Sequence, residues 1–206
     1  MPILPLDSGR YGTVEMRNVF EEEKRLQRML DVEGALVWAQ AELGIIPKES
    51  AKEIINRAST KYVTVENVKE LEKSTKHEVM SMVDALSKAC GDNGLYIHIG
   101  ATSSDILDTG MALQIKDALN IVEREIDSLE KTLLESAEKY ERVVMIGRTH
   151  GQHALPITLG LKLSVWLREM SRHIERLRQV KERILVGKMT GAVGTQAGLG
   201  PKGLEI

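Results

Sequence analysis

An apolar repeat at helical spacing runs from Ile106 to Tyr140 without a break, and this one feature narrows the fold more than any other. Thr102-Ser-Ser-Asp105 precedes it, a Ser/Thr-x-x-acid start signal that puts an acidic residue near the positive end of the helix dipole. At 1.5 Å per residue such a helix is roughly 50 Å long. A monomer of 206 residues cannot wrap a rod of that length, so parallel neighbours are needed from later sequence or from other subunits. After a short apolar piece, Val143 to Ile146, a second long helix is expected from about Ile157 to Val186. The simplest geometry is two antiparallel helices of an unfinished bundle, and the chain stops at Leu204-Glu205-Ile206, where another helix is expected to start.

Composition agrees. Aromatic residues make up only 3%, with one Phe and two Trp. The core must therefore be built from Leu, Ile, Val, Met and Ala, which suit helix–helix interfaces better than a sandwich. The 28 basic residues nearly balance the 30 acidic ones, which gives no field for holding nucleic acid or an anionic membrane. The lone Cys90 reads as a small core hydrophobe. The N-terminus has no basic-then-apolar leader, and no apolar run reaches the length of a membrane span, so the expected compartment is the cytoplasm.

The first half is cut into shorter pieces. Residues 1–13 read as an irregular lead around Arg10-Tyr11. From Glu15 the apolar positions predict one amphipathic helix ending at Gly44, a residue suited to a left-handed cap. Pro47 opens the next helix, Thr64 a third through about Lys73, and Glu78 to Lys88 forms a fourth. Gly91 and Gly94 mark the expected boundary between an N-terminal helical domain, 1–94, and a partial central bundle, 95–206. The fold class expected is mainly α.

Three stretches combine turn residues with titratable or hydroxyl side chains. Thr75-Lys-His-Glu78 sets a cation, an imidazole and a carboxylate at a helix start, where they hold an anion or merely cap the helix. In His98-Ile-Gly-Ala-Thr-Ser-Ser-Asp105, Gly100 lets the backbone approach a ligand, while Thr102 and Ser103 offer hydroxyls beside free helix-start amides. The plain alternative is that Thr102 is only a cap. In Gly147-Arg-Thr-His-Gly-Gln-His-Ala154, His150 is a better general-acid candidate than His173, a mid-helix residue on a solvated face. A metal at His150 and His153 lacks a third and fourth ligand of suitable spacing, so none is expected. The glycines from Gly191 to Gly203 lack the dinucleotide fingerprint and read as a mobile loop.

In this order the segments resemble the adenylosuccinate lyases of the fumarase/aspartase superfamily. The residues that carry the likeness are Arg10-Tyr-Gly-Thr-Val-Glu-Met16, Gly44-Ile-Ile-Pro-Lys48, Thr75-Lys-His-Glu78, Gly100-Ala-Thr-Ser-Ser-Asp-Ile-Leu-Asp-Thr109, Arg148-Thr-His-Gly-Gln152 and Gly191-Ala-Val-Gly-Thr195. The resemblance implies elimination of fumarate from adenylosuccinate, giving AMP, and from the related succinyl-carboxamide ribotide of purine biosynthesis. It makes His150 the general acid and Thr149 its neighbour in the substrate site. Thr102 and Ser103 would hold the succinyl carboxylate, Arg10 and Tyr11 the nucleotide phosphate, and Lys76, His77 and Glu78 would line the nucleotide side. No cofactor, no metal and no nucleic-acid or membrane partner are expected. The resemblance also implies a cytoplasmic homotetramer whose active sites draw on three chains.

Two departures stand out. Most members carry Asp where this chain has Glu78. The family's signature loop, with the serine that acts as base, would lie beyond Ile206, so the 206 residues alone are expected to be inactive. Two other classes fit the same sequence, a related lyase acting on another succinyl compound and a non-catalytic helical assembly module.

Overall fold

A computed structural model describes residues 9–206. Seven α-helices and one two-stranded antiparallel ribbon follow one another as α1 Val14–Phe20, α2 Glu22–Glu42, α3 Lys48–Arg57, α4 Val65–Thr75, α5 Glu78–Cys90, α6 Ser103–Lys139, β1 Val144–Thr149, β2 Gln152–Thr158 and α7 Leu159–Ile184. Short 3-10 turns span Gly91–Tyr96, Ala197–Leu199 and Gly203–Glu205. The mainly α expectation is met. The chain divides into two compact units, Met1–Asp117 with Leu185–Ile206, and Ala118–Ile184. The 1–94 and 95–206 domains expected from the glycines remain a proposal.

In the first unit the helix ends follow local chemistry. The hydroxyls of Thr13 and Thr64 each accept a hydrogen bond from the amide three residues on, Met16 and Asn67 respectively, at 3.2 Å, satisfying orphan donors of a first turn. At the end of α2, Gly44 takes φ 71°. Its amide donates to Ala41 at 3.0 Å and that of Ile45 to Gln40 at 2.8 Å, which is the Schellman arrangement. The core beneath is aliphatic. Leu30 and Val37 from α2, Ile54 from α3, Met82 and Leu86 from α5 and Ile106 from α6 are fully buried, as close-packed helix faces require. Cys90 lies in that core, and burial pushes its thiol up to about 11, so it behaves as the expected small hydrophobe.

The single helix expected from Glu15 to Gly44 is two, because Glu21 is extended at φ −60°, ψ 148°. The break leaves the Val19 carbonyl without its helical donor. The buried Gln114 side chain of α6 supplies one at 2.8 Å. A partner 95 residues away in sequence offsets the lost intrahelical bond, and no local propensity signals it.

The second unit contains the later part of α6, the ribbon and α7. Lys181 meets Glu123 at 2.5 Å, Ser171 donates to Glu130, and Gly160 packs on Ala137. Partner numbers rise along one helix as they fall along the other, so the two run antiparallel, as expected. A Cβ on Gly160 would lie 2.6 Å from the Ala137 carbonyl oxygen, and that close approach requires glycine. The ribbon was not expected: the stretch at Val143 to Ile146 pairs with the segment leading into α7, in register Val144↔Thr158 through Thr149↔Gln152 with an irregularity at Gly147.

Candidate active site

The α4–α5 junction reverses the chain in two residues. Lys76 ends α4 in the left-handed region at φ 55°, and His77 then caps α5, its Nδ1 accepting from the Met80 amide at 3.3 Å. A ring nitrogen that accepts carries no proton, so in the neutral imidazole the proton sits on Nε2. That nitrogen lies 3.3 Å from the Ser103 hydroxyl. Two of the three candidate segments therefore meet in the first unit. Thr75 and Ser81 brace the junction, with their hydroxyls 2.6 Å apart and Ser81 donating to the His77 carbonyl at 2.8 Å.

Glu78, beside His77, is engaged by α2. Both its carboxylate oxygens are taken by the Arg25 guanidinium, Oε2 at 2.9 Å from Nη2, a two-pronged pair with fixed geometry. The pair borders a cavity of about 100 Å³ that also involves Met29, Val65 and Lys69. His77 and Ser103 are not among the residues lining it. Arg10 and Tyr11, before α1, are exposed, Tyr11 at 65%, and Lys76 is exposed as well.

Thr102 and Ser103 stand at the start of α6, both half-buried. The capping signal is real, but its anchor is Asp105. The Asp105 side chain is fully buried and accepts from the Thr102 amide at 3.0 Å, the Thr190 amide at 3.0 Å and the Gly191 amide at 2.9 Å. Burial alone would raise its pKa, but the three backbone N–H bonds and the nearby Lys188 ammonium outweigh it and hold the carboxyl below its ordinary value.

At Gly100, expected to let the backbone approach a ligand, the close approach observed is that of the chain itself. Gly100, at φ 75°, is packed by the chain itself, since a Cβ there would stand 2.3 Å from the Gly198 carbonyl oxygen. The glycine-rich tail, expected as a mobile loop, is anchored at three points. Leu199 and Gly203 are buried and the Gly191 amide is tied to Asp105.

One pair was missed. His98, also left-handed at φ 62°, sets Nδ1 2.6 Å from Oε1 of Glu33, a carboxylate with no exposed surface. Burial disfavours the charged ring, but the hydrogen bond and attraction of Glu33 prevail and its pKa is raised. The signal available was an acidic residue on the apolar face of α2; its partner 65 residues on was not visible.

In the second unit, Thr149 pairs with Gln152, and His150-Gly151 form the two-residue turn between the strands. Both turn residues have positive φ, 51° and 74°, as the tight hairpin turn matching strand twist demands. A histidine held left-handed is uncommon, and such strain concentrates at functional sites. The ring is presented on the exposed tip beside Arg148, Thr149 and Gln152. His173, by contrast, is tied into its own helix surface by Arg176, 3.0 Å from its Nδ1, and Glu169, 3.7 Å from its Nε2.

The profile of the lyase family matches residues 9–203. An adenylosuccinate lyase from Methanocaldococcus jannaschii is 54% identical over 207 residues, covering 100% of this chain and 45% of that protein. An N-acetyl-S-(2-succino)cysteine lyase from Enterococcus italicus is 46% identical over 198 residues, covering 96% and 44%. The crystal structure of a fumarate lyase from Mesorhizobium sp. BNC1 superposes with a TM-score of 0.87 at 40% identity, covering 95% of this chain and 47% of that one. The chain thus spans a little under half the length of the relatives it matches.

Proposed function

Since the chain belongs to the lyase family, we propose that it forms the N-terminal portion of an adenylosuccinate lyase, which eliminates fumarate from adenylosuccinate to leave AMP and acts likewise on the succinyl-carboxamide ribotide. The observation that carries this reading is the meeting of His77 Nε2 and Ser103 Oγ, in a chain that also carries Thr102 and a hairpin-tip His150. A hydroxyl pair at a helix start is suited to a succinyl carboxylate, which gains both hydroxyl and amide donors.

In the elimination, a base takes the proton from the carbon next to one carboxylate, and the negative charge spreads into that carboxylate. The carbon–nitrogen bond then breaks as the carbon–carbon double bond forms. His150 gives its proton to the departing nitrogen, and Thr149 lies beside it in the substrate site. Lys76, His77 and Glu78 line the nucleotide side, Glu78 also fixing the junction through Arg25, and Arg10 and Tyr11 take the phosphate. The base is the serine of a loop that the family resemblance puts beyond Ile206, so residues 1–206 alone would not release fumarate. The protein would work as a homotetramer in the cytoplasm. The exposed Leu161, Val165 and Trp166 on α7 suit association with further copies, and no helix among the described residues is long and apolar enough to cross a membrane.

The second reading rests on the N-acetyl-S-(2-succino)cysteine lyase relative: the same elimination with sulfur as the leaving atom. Fumarate release by the full-length protein, given each compound in turn, separates the two. Adenylosuccinate should be consumed with the higher kcat/KM; preference for the succinylated thiol would reverse the assignment, and failure on both would reject both substrate readings.

A further inference from the structure

We propose that Asp105 is a positioning residue of the substrate site, clamping the segment Lys188–Gly191 onto the first turn of α6 so that the Thr102 and Ser103 hydroxyls are held ready for a carboxylate. The inference rests on the reading of Thr102 and Ser103 given above, and it adds a residue that never touches substrate. Asp105 Oδ2 receives the amides of Thr102 and Gly191, at 3.0 and 2.9 Å. Oδ1 receives the amide of Thr190 at 3.0 Å and its hydroxyl at 3.5 Å. One carboxylate therefore joins two chain segments that are 85 residues apart. Lys188 strengthens the junction from outside, its ammonium 3.8 Å from Asp105 and 3.9 Å from Asp108 and in contact with the Ser104 hydroxyl. Thr109 closes it by donating to the Lys188 carbonyl at 3.0 Å and accepting the Lys188 amide at 2.9 Å.

Only an ionised carboxylate accepts at every one of these positions. An amide presents two donors on one side, so Asp105→Asn sets N–H groups against N–H groups. The cluster then rearranges where Ser103 faces His77. A hydroxyl pair displaced by a fraction of an ångström loses its grip on bound carboxylate, while the turnover of substrate that does bind is little altered.

The test uses the full-length protein, adenylosuccinate as substrate and fumarate as inhibitor. Asp105→Asn should raise both KM for adenylosuccinate and the inhibition constant of fumarate at least tenfold, with kcat within about threefold of the starting value. A merely structural role would remove folded protein and lower apparent kcat at unchanged KM. If the Asn variant does not fold, Asp105→Glu retains the charge, displaces the oxygens by one methylene and should show the same parallel rise. Unchanged KM and fumarate inhibition in a folded variant would overturn the proposal. Thr102→Ala with Ser103→Ala is the companion arm. If it weakens fumarate inhibition while the Asp105 variants do not, the clamp is wrong; if it has no effect, the carboxylate-holding reading itself fails.

Discussion

The imidazole of His77 caps α5 through Nδ1 and faces the Ser103 hydroxyl across 3.3 Å through Nε2. A cap that accepts at one nitrogen fixes the tautomer, and the fixed tautomer leaves a donor aimed at the hydroxyl. Capping of α5 and the approach to Ser103 are thus the work of two nitrogens of one ring.

Ser103→Ala removes that contact without opening a core cavity. In the full-length protein it should raise KM for adenylosuccinate about tenfold, the size of one hydrogen bond to a charged group, and change stability by less than about 1 kcal/mol. Steady-state kinetics with a thermal melt checks both. A large loss of stability at unchanged KM would place Ser103 in the framework alone.

Glu33 and His98 predict how stability varies with pH. Because the folded-state pKa of His98 is raised above its ordinary 6.5, the contribution of the pair is complete below that value and is lost as pH rises through the folded one. Glu33→Gln should cost about 2 kcal/mol on the acid side of neutrality, and the difference from the native chain should shrink as the solution becomes alkaline. Urea unfolding on both sides of neutral pH measures it; a gap that widens with pH would mean the pair is not an ion pair.

Two left-handed glycines should differ sharply. Gly100→Ala drives a Cβ into the Gly198 carbonyl at 2.3 Å, whereas nothing lies within 4 Å of a Cβ on Gly194. The first should cost more than about 2 kcal/mol and the second about 1 kcal/mol, the backbone penalty alone. Equal costs, read from chemical denaturation, would contradict the packing of the tail on Gly100.

Much of this was legible in sequence, where the governing interactions are local. Gly44 ends α2, Thr64 begins α4 and Thr102-Ser-Ser-Asp105 opens α6, because caps and dipoles act within one turn. The β ribbon was missed although its cues were present: β-branched Val143, Val144 and Ile146, and a His-Gly pair of hairpin length. These cues were outweighed by the strong helical repeats on both sides. Gln114 bonds the carbonyl freed at the break, Asp105 ties down the tail, and His98 pairs with Glu33. Such partners lie far along the chain, and no periodicity encodes them.

The proposed elimination depends most on His150 as the proton donor to the leaving nitrogen. The decisive measurement is kcat for adenylosuccinate in the full-length protein carrying His150→Gln. A fall of at least about 100-fold, the lower bound for losing a general acid, with fumarate inhibition unchanged, is the predicted result; turnover within threefold of the unsubstituted protein would contradict it.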